Sequence, residues 1–301
     1  MTRQPQPKTP KETRSKAQPE AQPKTHSKTQ PKIQSKTRPK TRPKARQKAR
    51  QEDKEFMTTL AKGLAVLDAF GRARPSMTLS EAAQAVDLSR ATARRVLHTL
   101  AQLGYVAQNG RTFSLTPRIL DFGFAYLSTQ SWIDRALPLM RDLSERLGES
   151  SSAAILQGND IVYVARVPAR RIMSAALSVG SRLPAFHTAL GRTMLGFIDA
   201  AEIWRRLKSQ RIAAYTPNTI TDLQALFDRI GADHAQGFSI VDEELERGLR
   251  ALAVPVLDRA GQAVGAINLS THSTRTTRNE MREEFLPELK RIAGQVASTT
   301  F

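Results

Sequence analysis

The chain has 301 residues, no cysteine, five scattered histidines and a formal net charge of +18. That composition excludes a disulfide framework, a thiolate nucleophile and a zinc–thiolate centre; the isolated histidines give no metal-ligand spacing, so neither a metal nor a cofactor is expected. No apolar run reaches the roughly 18 residues of a membrane span and the start has no basic-then-apolar leader, which points to a cytoplasmic chain with no membrane partner.

The charge is uneven. Residues 1–55 hold 17 Lys and Arg against 5 Asp and Glu, a net of +12. They have no aromatic residue, no Gly, and Ile33 as their one branched aliphatic. Such a stretch cannot bury enough apolar surface to offset chain entropy, so a disordered basic tail is expected. It is either a solubilising extension or an arm that neutralises phosphates. Lys and Pro carry no base-reading geometry, so no sequence specificity is expected from it.

From Phe56 the pattern becomes helical. Leu60, Leu64, Leu67 and Phe70 form a stripe expected to pack across the back of the next two helices. Thr78-Leu79-Ser80-Glu81 is a capping box, in which a hydroxyl and a carboxylate satisfy each other's backbone donors. The short helix it opens breaks at Asp87-Leu88. Ser89 caps a second helix whose Ala93, Val96, Leu97, Leu100 and Leu103 recur at three- and four-residue steps. Arg90, Arg94, Arg95 and His98 occupy the other face. Leu103 to Val106 and Arg111 to Leu115 read as strands around Asn109-Gly110, the preferred pair of a type I′ turn. Two small helices and a tight hairpin make a winged helix-turn-helix, assigned to residues 56–116. The plainer alternative is a helical hairpin with a solvated Arg face.

Pro117 suits the first turn of a linker helix, assigned to residues 117–131. Its Ile119, Leu120, Phe122, Phe124, Tyr126 and Leu127 make it apolar around much of its circumference, which favours burial against a partner chain. Trp132 to Leu147 is amphipathic and ends at Gly148. Ser151–Gln157 and Ile161–Val167 read as a hairpin around Gly158-Asn159-Asp160, with a third strand over Met173–Val179. Helices are expected over Thr188–Phe197, Asp199–Lys208 and Asp222–Gln236. Strands are expected over Leu252–Leu257 and Ala263–Leu269, and a closing helix over Thr277–Ser298. Residues 132–301 thus read as an α+β sensor-type domain of GAF-like architecture: an antiparallel sheet with helices mainly on one side.

The segments TTLAKGLAVLDAFG, the winged helix, SRLPAFHTALGRTML (181–195), GFSIVDEELERGLRALAVPV (237–256) and GAINLS (265–270) resemble the IclR family of bacterial transcription regulators, in order and spacing, from Met57 onward. The opening MTTLAKGLAVLDAF is most similar to members governing aromatic-acid and β-ketoadipate catabolism. The resemblance implies a homodimer or dimer of dimers, a double-stranded DNA operator and a small organic-acid effector. It leaves RNA polymerase open as a further partner. Asp87 is a departure, since members commonly carry Gly in that turn; Asp tolerates a left-handed conformation better than most residues.

For DNA, the helix from Ser89 is expected in the major groove with Arg90, Thr92, Arg94 and Arg95 at base edges. Register does not separate Arg94 from Arg95. Ser80 and Ser89, at helix starts, suit phosphates, and Arg111 on the wing suits the backbone or minor groove. For the effector, a carboxylate needs donors in a concave apolar pocket. His187 and Thr188 qualify on chemistry, and the small residues through Gly191 suggest close backbone approach at a helix start. The resemblance adds Ala189, Leu190, Asp242, Leu249, Ala251, Asn268 and Ser270; Asn268 and Ser270 alternate with Ile267 and Leu269, so they share a sheet face. Ala189, Leu190 and Leu249 also fit an ordinary core, and Asp242-Glu243-Glu244 a solvated acidic turn.

Three functions compete. The first is a ligand-responsive regulator, of aromatic-acid genes or of another small-acid pathway such as one signalled by glyoxylate or pyruvate. The second is an enzyme acting on such an acid. Its cast is His187, Ser270, Asp242 and Glu243, joined by no catalytic spacing, so no enzymatic activity and no catalytic residue are expected. The third is a general nucleic-acid packaging protein driven by the tail.

Overall fold

The computed structural model describes residues 55–71, 73–169 and 177–298. Helix α1 (Thr58–Ala69) carries exposed Leu60 and Leu64. Of the expected stripe it is Phe70, with Val66 and Leu67, that enters a core with Met77, Ala82, Val96, Leu97, Leu100 and Val106. Strand β1 (Ser76–Thr78), a short element with no counterpart among the expected strands, leads into α2 (Leu79–Ala85). The capping box is formed: the Glu81 amide donates to Thr78 Oγ1 at 3.3 Å and the Thr78 amide to Glu81 Oε2 at 2.8 Å. Asp87 turns the chain with φ +55°, the left-handed conformation expected of it.

Helix α3 (Arg90–Gln102) is capped by Ser89, whose Oγ accepts the Thr92 amide at 3.2 Å. The strand expected from Leu103 starts later: Leu103 is the C-cap of α3 and Gly104 is left-handed. Strands β2 (Val106–Asn109) and β3 (Thr112–Leu115) come next. Their loop residues are Gly110 and Arg111, and only Gly110 has positive φ. The turn is therefore glycine-first, of the II′ kind, rather than an Asn-Gly type I′ turn. β3 pairs with both β1 and β2, closing the wing.

After a 3-10 turn (Pro117–Ile119), α4 (Leu120–Ser128) has no buried residue, and Leu120, Phe122, Phe124 and Tyr126 are exposed. Helix α5 (Ser131–Leu147) then enters the second domain. The domain's sheet comprises β4 (Ser150–Gln157), β5 (Asp160–Val167), β6 (Arg182–Pro184), β7 (Ser239–Asp242), β8 (Leu249–Leu257) and β9 (Ala263–His272). Their order is β6-β5-β4-β9-β8-β7, antiparallel throughout. The strand expected over Met173–Val179 lies mostly outside the described residues, and 177–179 are not in a strand.

The sheet has helices on both faces, not mainly one, because its central strands are apolar on both sides. One face packs on α5 and on the C-terminal helical segment, which runs through α9 (Arg278–Glu280), a π-helical stretch (Met281–Phe285) and α10 (Leu286–Ser298). The other packs on α6 (Ala189–Leu195), α7 (Ala200–Lys208) and α8 (Leu223–Gln236). No helix among the described residues is long and apolar enough to cross a membrane.

Candidate nucleic-acid interface and ligand cavity

On α3 the residues at three- and four-step spacing, Ala93, Val96, Leu97 and Leu100, are buried, so Arg90, Arg94 and Arg95 are left on the exposed side. Thr92 is half-buried and its hydroxyl lies 2.9 Å from that of Ser89, so it is already engaged at the cap. Ser80 is exposed in the first turn of α2, and Arg111 is exposed at the tip of the wing. Both helix starts and the wing tip therefore present their polar groups to solvent.

In the second domain a cavity of about 270 Å³ opens beside the sheet face that packs on α6. Eight of the nine residues expected to bind an effector line it: His187, Thr188, Ala189 and Leu190 from the start of α6, Leu249 and Ala251 from β8, and Asn268 and Ser270 from β9. Alternation explains the strand contributions: Ile267 and Leu269 point into the opposite core. Across the ladder Ser270 faces Ala251 and Asn268 faces Ala253. These small partners leave the space that larger side chains would fill.

Asp242 is the exception: expected in the pocket, it lies outside the cavity walls. Val241 lines the cavity, so its neighbour faces the other way. Asp242 pairs across the ladder with Arg250, which donates to it at 2.7 and 2.9 Å, and Arg278 adds a bond at 2.8 Å. Burial opposes its ionisation, but these bonds outweigh it and hold the carboxyl below its ordinary value. Glu243 is also outside the cavity walls; its carboxylate accepts the Gly248 amide at 2.9 Å.

The close backbone approach at Gly191 has a different object from the one expected. A Cβ there would lie 2.1 Å from the Ala185 carbonyl oxygen. The glycine thus lets α6 pack against the preceding 3-10 turn (Ala185–His187) rather than against a ligand. Thr188 caps α6, accepting the Gly191 amide at 3.1 Å.

Sequence reasoning missed the cationic wall, made by Arg166, Arg247 and Arg275. Arg166 reaches the cavity through a β-bulge. Ala153 pairs with Ala165 but Ala154 with Tyr163, so Val164 is the extra residue and the alternation of β5 shifts there. Ile161 and Tyr163 pack on the cavity side, whereas Ala165 and Val167 pack opposite. Arg275 is held by buried Glu149 through bonds of 3.0 Å to each carboxylate oxygen.

Two buried polar atoms on the walls have no hydrogen-bond partner among the described residues: His187 Nδ1 and Asn268 Oδ1. The amide nitrogen of Asn268 donates to Ser270 Oγ at 3.0 Å. Burial, reinforced by Arg192 and opposed by Glu244, lowers the His187 pKa to about 4. At neutral pH it is an uncharged imidazole, able to donate at one nitrogen and accept at the other. Three arginines against one wall carboxylate, Glu246, with a neutral histidine and an amide around a largely apolar hollow, suit a small anion that also carries a hydrogen-bonding group.

The comparisons with known proteins agree with both halves of the chain. Residues 59–110 match the IclR helix-turn-helix domain and residues 124–298 the bacterial transcriptional regulator IclR C-terminal family. The Pca regulon regulatory protein of Pseudomonas putida is 43% identical over 238 residues, covering 79% of this chain and 82% of its own length. The p-hydroxybenzoate hydroxylase transcriptional activator of Acinetobacter baylyi is 31% identical, covering 81% of this chain and 92% of its own. A solved structure of a candidate transcriptional regulator from Rhodococcus sp. RHA1 superposes with a TM-score of 0.72 at 42% identity, covering 81% of this chain and 98% of its own. With a winged helix-turn-helix ahead of an α+β domain and family matches over both, this chain belongs to the IclR family of bacterial transcriptional regulators.

Proposed function

We propose that the protein is a ligand-responsive DNA-binding regulator of aromatic-acid catabolism genes, with a small aromatic or keto acid as effector. The observation that carries the effector half is the cavity: three arginines and the open polar atoms of His187 and Asn268 surround one hollow. Its volume fits, since a cavity of roughly 150 Å³ already holds benzene. Relatives named for the Pca regulon and for p-hydroxybenzoate hydroxylase support the pathway. The enzyme reading loses its acids, because Asp242 and Glu243 are engaged elsewhere.

In this reading α3 enters the major groove, with Arg90, Arg94 and Arg95 at base edges or phosphates, Ser80 and Ser89 at phosphates, and Arg111 at the backbone or minor groove. The exposed Leu120, Phe122, Phe124 and Tyr126 of α4 favour a homodimer or dimer of dimers, since an exposed apolar patch of this kind marks an interaction surface. The effector acts by favouring one arrangement of the winged domains, with the coupling set by its differential affinity.

The test is a thermal-shift screen of the purified chain against 4-hydroxybenzoate, protocatechuate, β-ketoadipate, glyoxylate and pyruvate. A bound acid raises the melting temperature by mass action. A rise with an aromatic or β-keto acid is expected. A rise with glyoxylate or pyruvate alone overturns the pathway, and a blank panel overturns the effector class. If operator preference survives deletion of residues 1–50, the tail does not supply specificity and a packaging role falls.

A further inference from the structure

Tyr215 does not line the cavity, yet it sits directly against a residue that does. Its ring meets the imidazole of His187 edge-on, with centroids 5.4 Å apart and planes at 69°. His187 is almost fully buried and Tyr215 is about half exposed, so tyrosine forms the outer layer and histidine the inner one. Nδ1 of His187 accepts and donates nothing among the described residues. That atom gives the imidazole no hydrogen-bond anchor, and the orientation of the ring falls to packing.

Tyr215 is itself held in place. The amides of Tyr215 and Thr216 both donate to Thr219 Oγ1, at 3.0 and 2.8 Å. This turn is tied to the loop after β7: Thr216 Oγ1 donates to the Glu243 carbonyl and Thr219 Oγ1 to the Glu244 carbonyl, each at 2.6 Å. Glu244 grips buried Arg192, and Arg192 Nε donates to the carbonyl of Phe186, the neighbour of His187. Both ends of the aromatic contact therefore hang on one network, which also fixes the loop whose Leu245 to Gly248 wall the cavity.

We propose that Tyr215 is a positioning residue for the ligand cavity, setting the ring of His187 from behind so that its nitrogens meet the bound acid in one orientation. The ligand part of this rests on the function proposed above; the contact itself does not. Tyr215 acts through His187 and needs its ring, not its hydroxyl, because the contact is made ring to ring.

The test uses the full chain with ¹³C-labelled imidazoles and Tyr215→Ala, Tyr215→Phe and His187→Gln, the last to assign the His187 resonance. Without ligand, Tyr215→Ala is expected to move that resonance and raise the titration of His187 toward the ordinary histidine value as water reaches it. Tyr215→Phe is expected to restore the wild-type behaviour. By calorimetry with the acid that wild type binds best, Tyr215→Ala loses roughly three- to tenfold in affinity, the equivalent of one aromatic pair. Tyr215→Phe stays close to wild type. An unmoved His187 resonance and titration in Tyr215→Ala, with the chain folded, overturns the proposal whatever the ligand. A Phe variant as impaired as the Ala variant overturns it too, since the hydroxyl would then be the group that matters. If wild type binds no acid, the proposed function fails, and the resonance arm still decides the role of Tyr215.

Discussion

Arg192 and Glu244 meet inside the second domain with two parallel hydrogen bonds, Nη1 to Oε1 at 2.7 Å and Nη2 to Oε2. The arginine is wholly buried and the glutamate nearly so. The pair joins α6, which carries one wall of the cavity, to the loop that forms another. Removing one partner leaves a buried charge uncompensated, which costs about 3–5 kcal/mol. Arg192→Met and Glu244→Leu are each expected to destabilise the chain by that order. The double variant should lose less than the sum, because neither charge is then left alone. Urea denaturation at fixed protein concentration checks both.

His187 carries a pH dependence with a definite sign. Its folded pKa of about 4 lies below the ordinary value of 6.5. Between these values the unfolded chain binds more protons than the folded one, so stability rises with pH there. This contribution is complete above about pH 6.5 and is lost as pH falls toward 4. His187→Phe keeps a ring in the site and removes the titration. The fall in urea midpoint between about pH 7 and about pH 5 should be smaller in His187→Phe than in wild type, and an equal fall would show that His187 titrates normally.

Arg90 is exposed in the first turn of α3, next to the Ser89 cap. If it pairs two-toothed with a guanine, Arg90→Ala relaxes preference at one base pair by about 1–3 kcal/mol. Binding of wild type and variant to a set of single-substitution operators reads this directly. A uniform loss across all sequences, with a shallower salt dependence, would make Arg90 a phosphate contact.

Ser270 lies on the cavity face of β9, opposite Ala251, with its hydroxyl accepting from Asn268. Ser270→Leu puts a branched chain into the hollow and frees the Asn268 amide. Effector affinity is expected to fall at least about tenfold, the equivalent of 1.4 kcal/mol, while operator binding without effector stays within twofold of wild type. Calorimetry and a gel-shift titration test the two halves separately, and equal effector affinity would remove Ser270 from the site.

The sequence by itself determined whatever rests on local rules. Thr78 with Glu81 and Ser89 with Thr92 are caps that need only three-residue spacing, and both form. The left-handed turn at Asp87 uses a residue type that tolerates that conformation; the exposed arginines of α3, the apolar surface of α4 and the shared face of Asn268 and Ser270 come from helix and strand periods. The residues expected around a ligand gather in one cavity, Asp242 excepted, because the quoted family segments fold onto adjacent strands and the start of α6.

Tertiary structure decided the rest. Strands β8 and β9 run three residues beyond their apolar patterns, to Leu249 and His272, because Arg250, Ser270 and Thr271 break the apolar runs while the ladder between the two strands continues through them. The short edge strands β6 and β7 form only when the neighbours β5 and β8 supply their hydrogen bonds. Arg166 faces the cavity through a bulge, which shifts a two-residue period by one without altering composition. Arg192 with Glu244, and Tyr215 with His187, are 52 and 28 positions apart, and no local pattern links them. A period or a cap is encoded within one turn or one strand; a charge pair, a bulge register and a ring contact exist only once distant segments share a core.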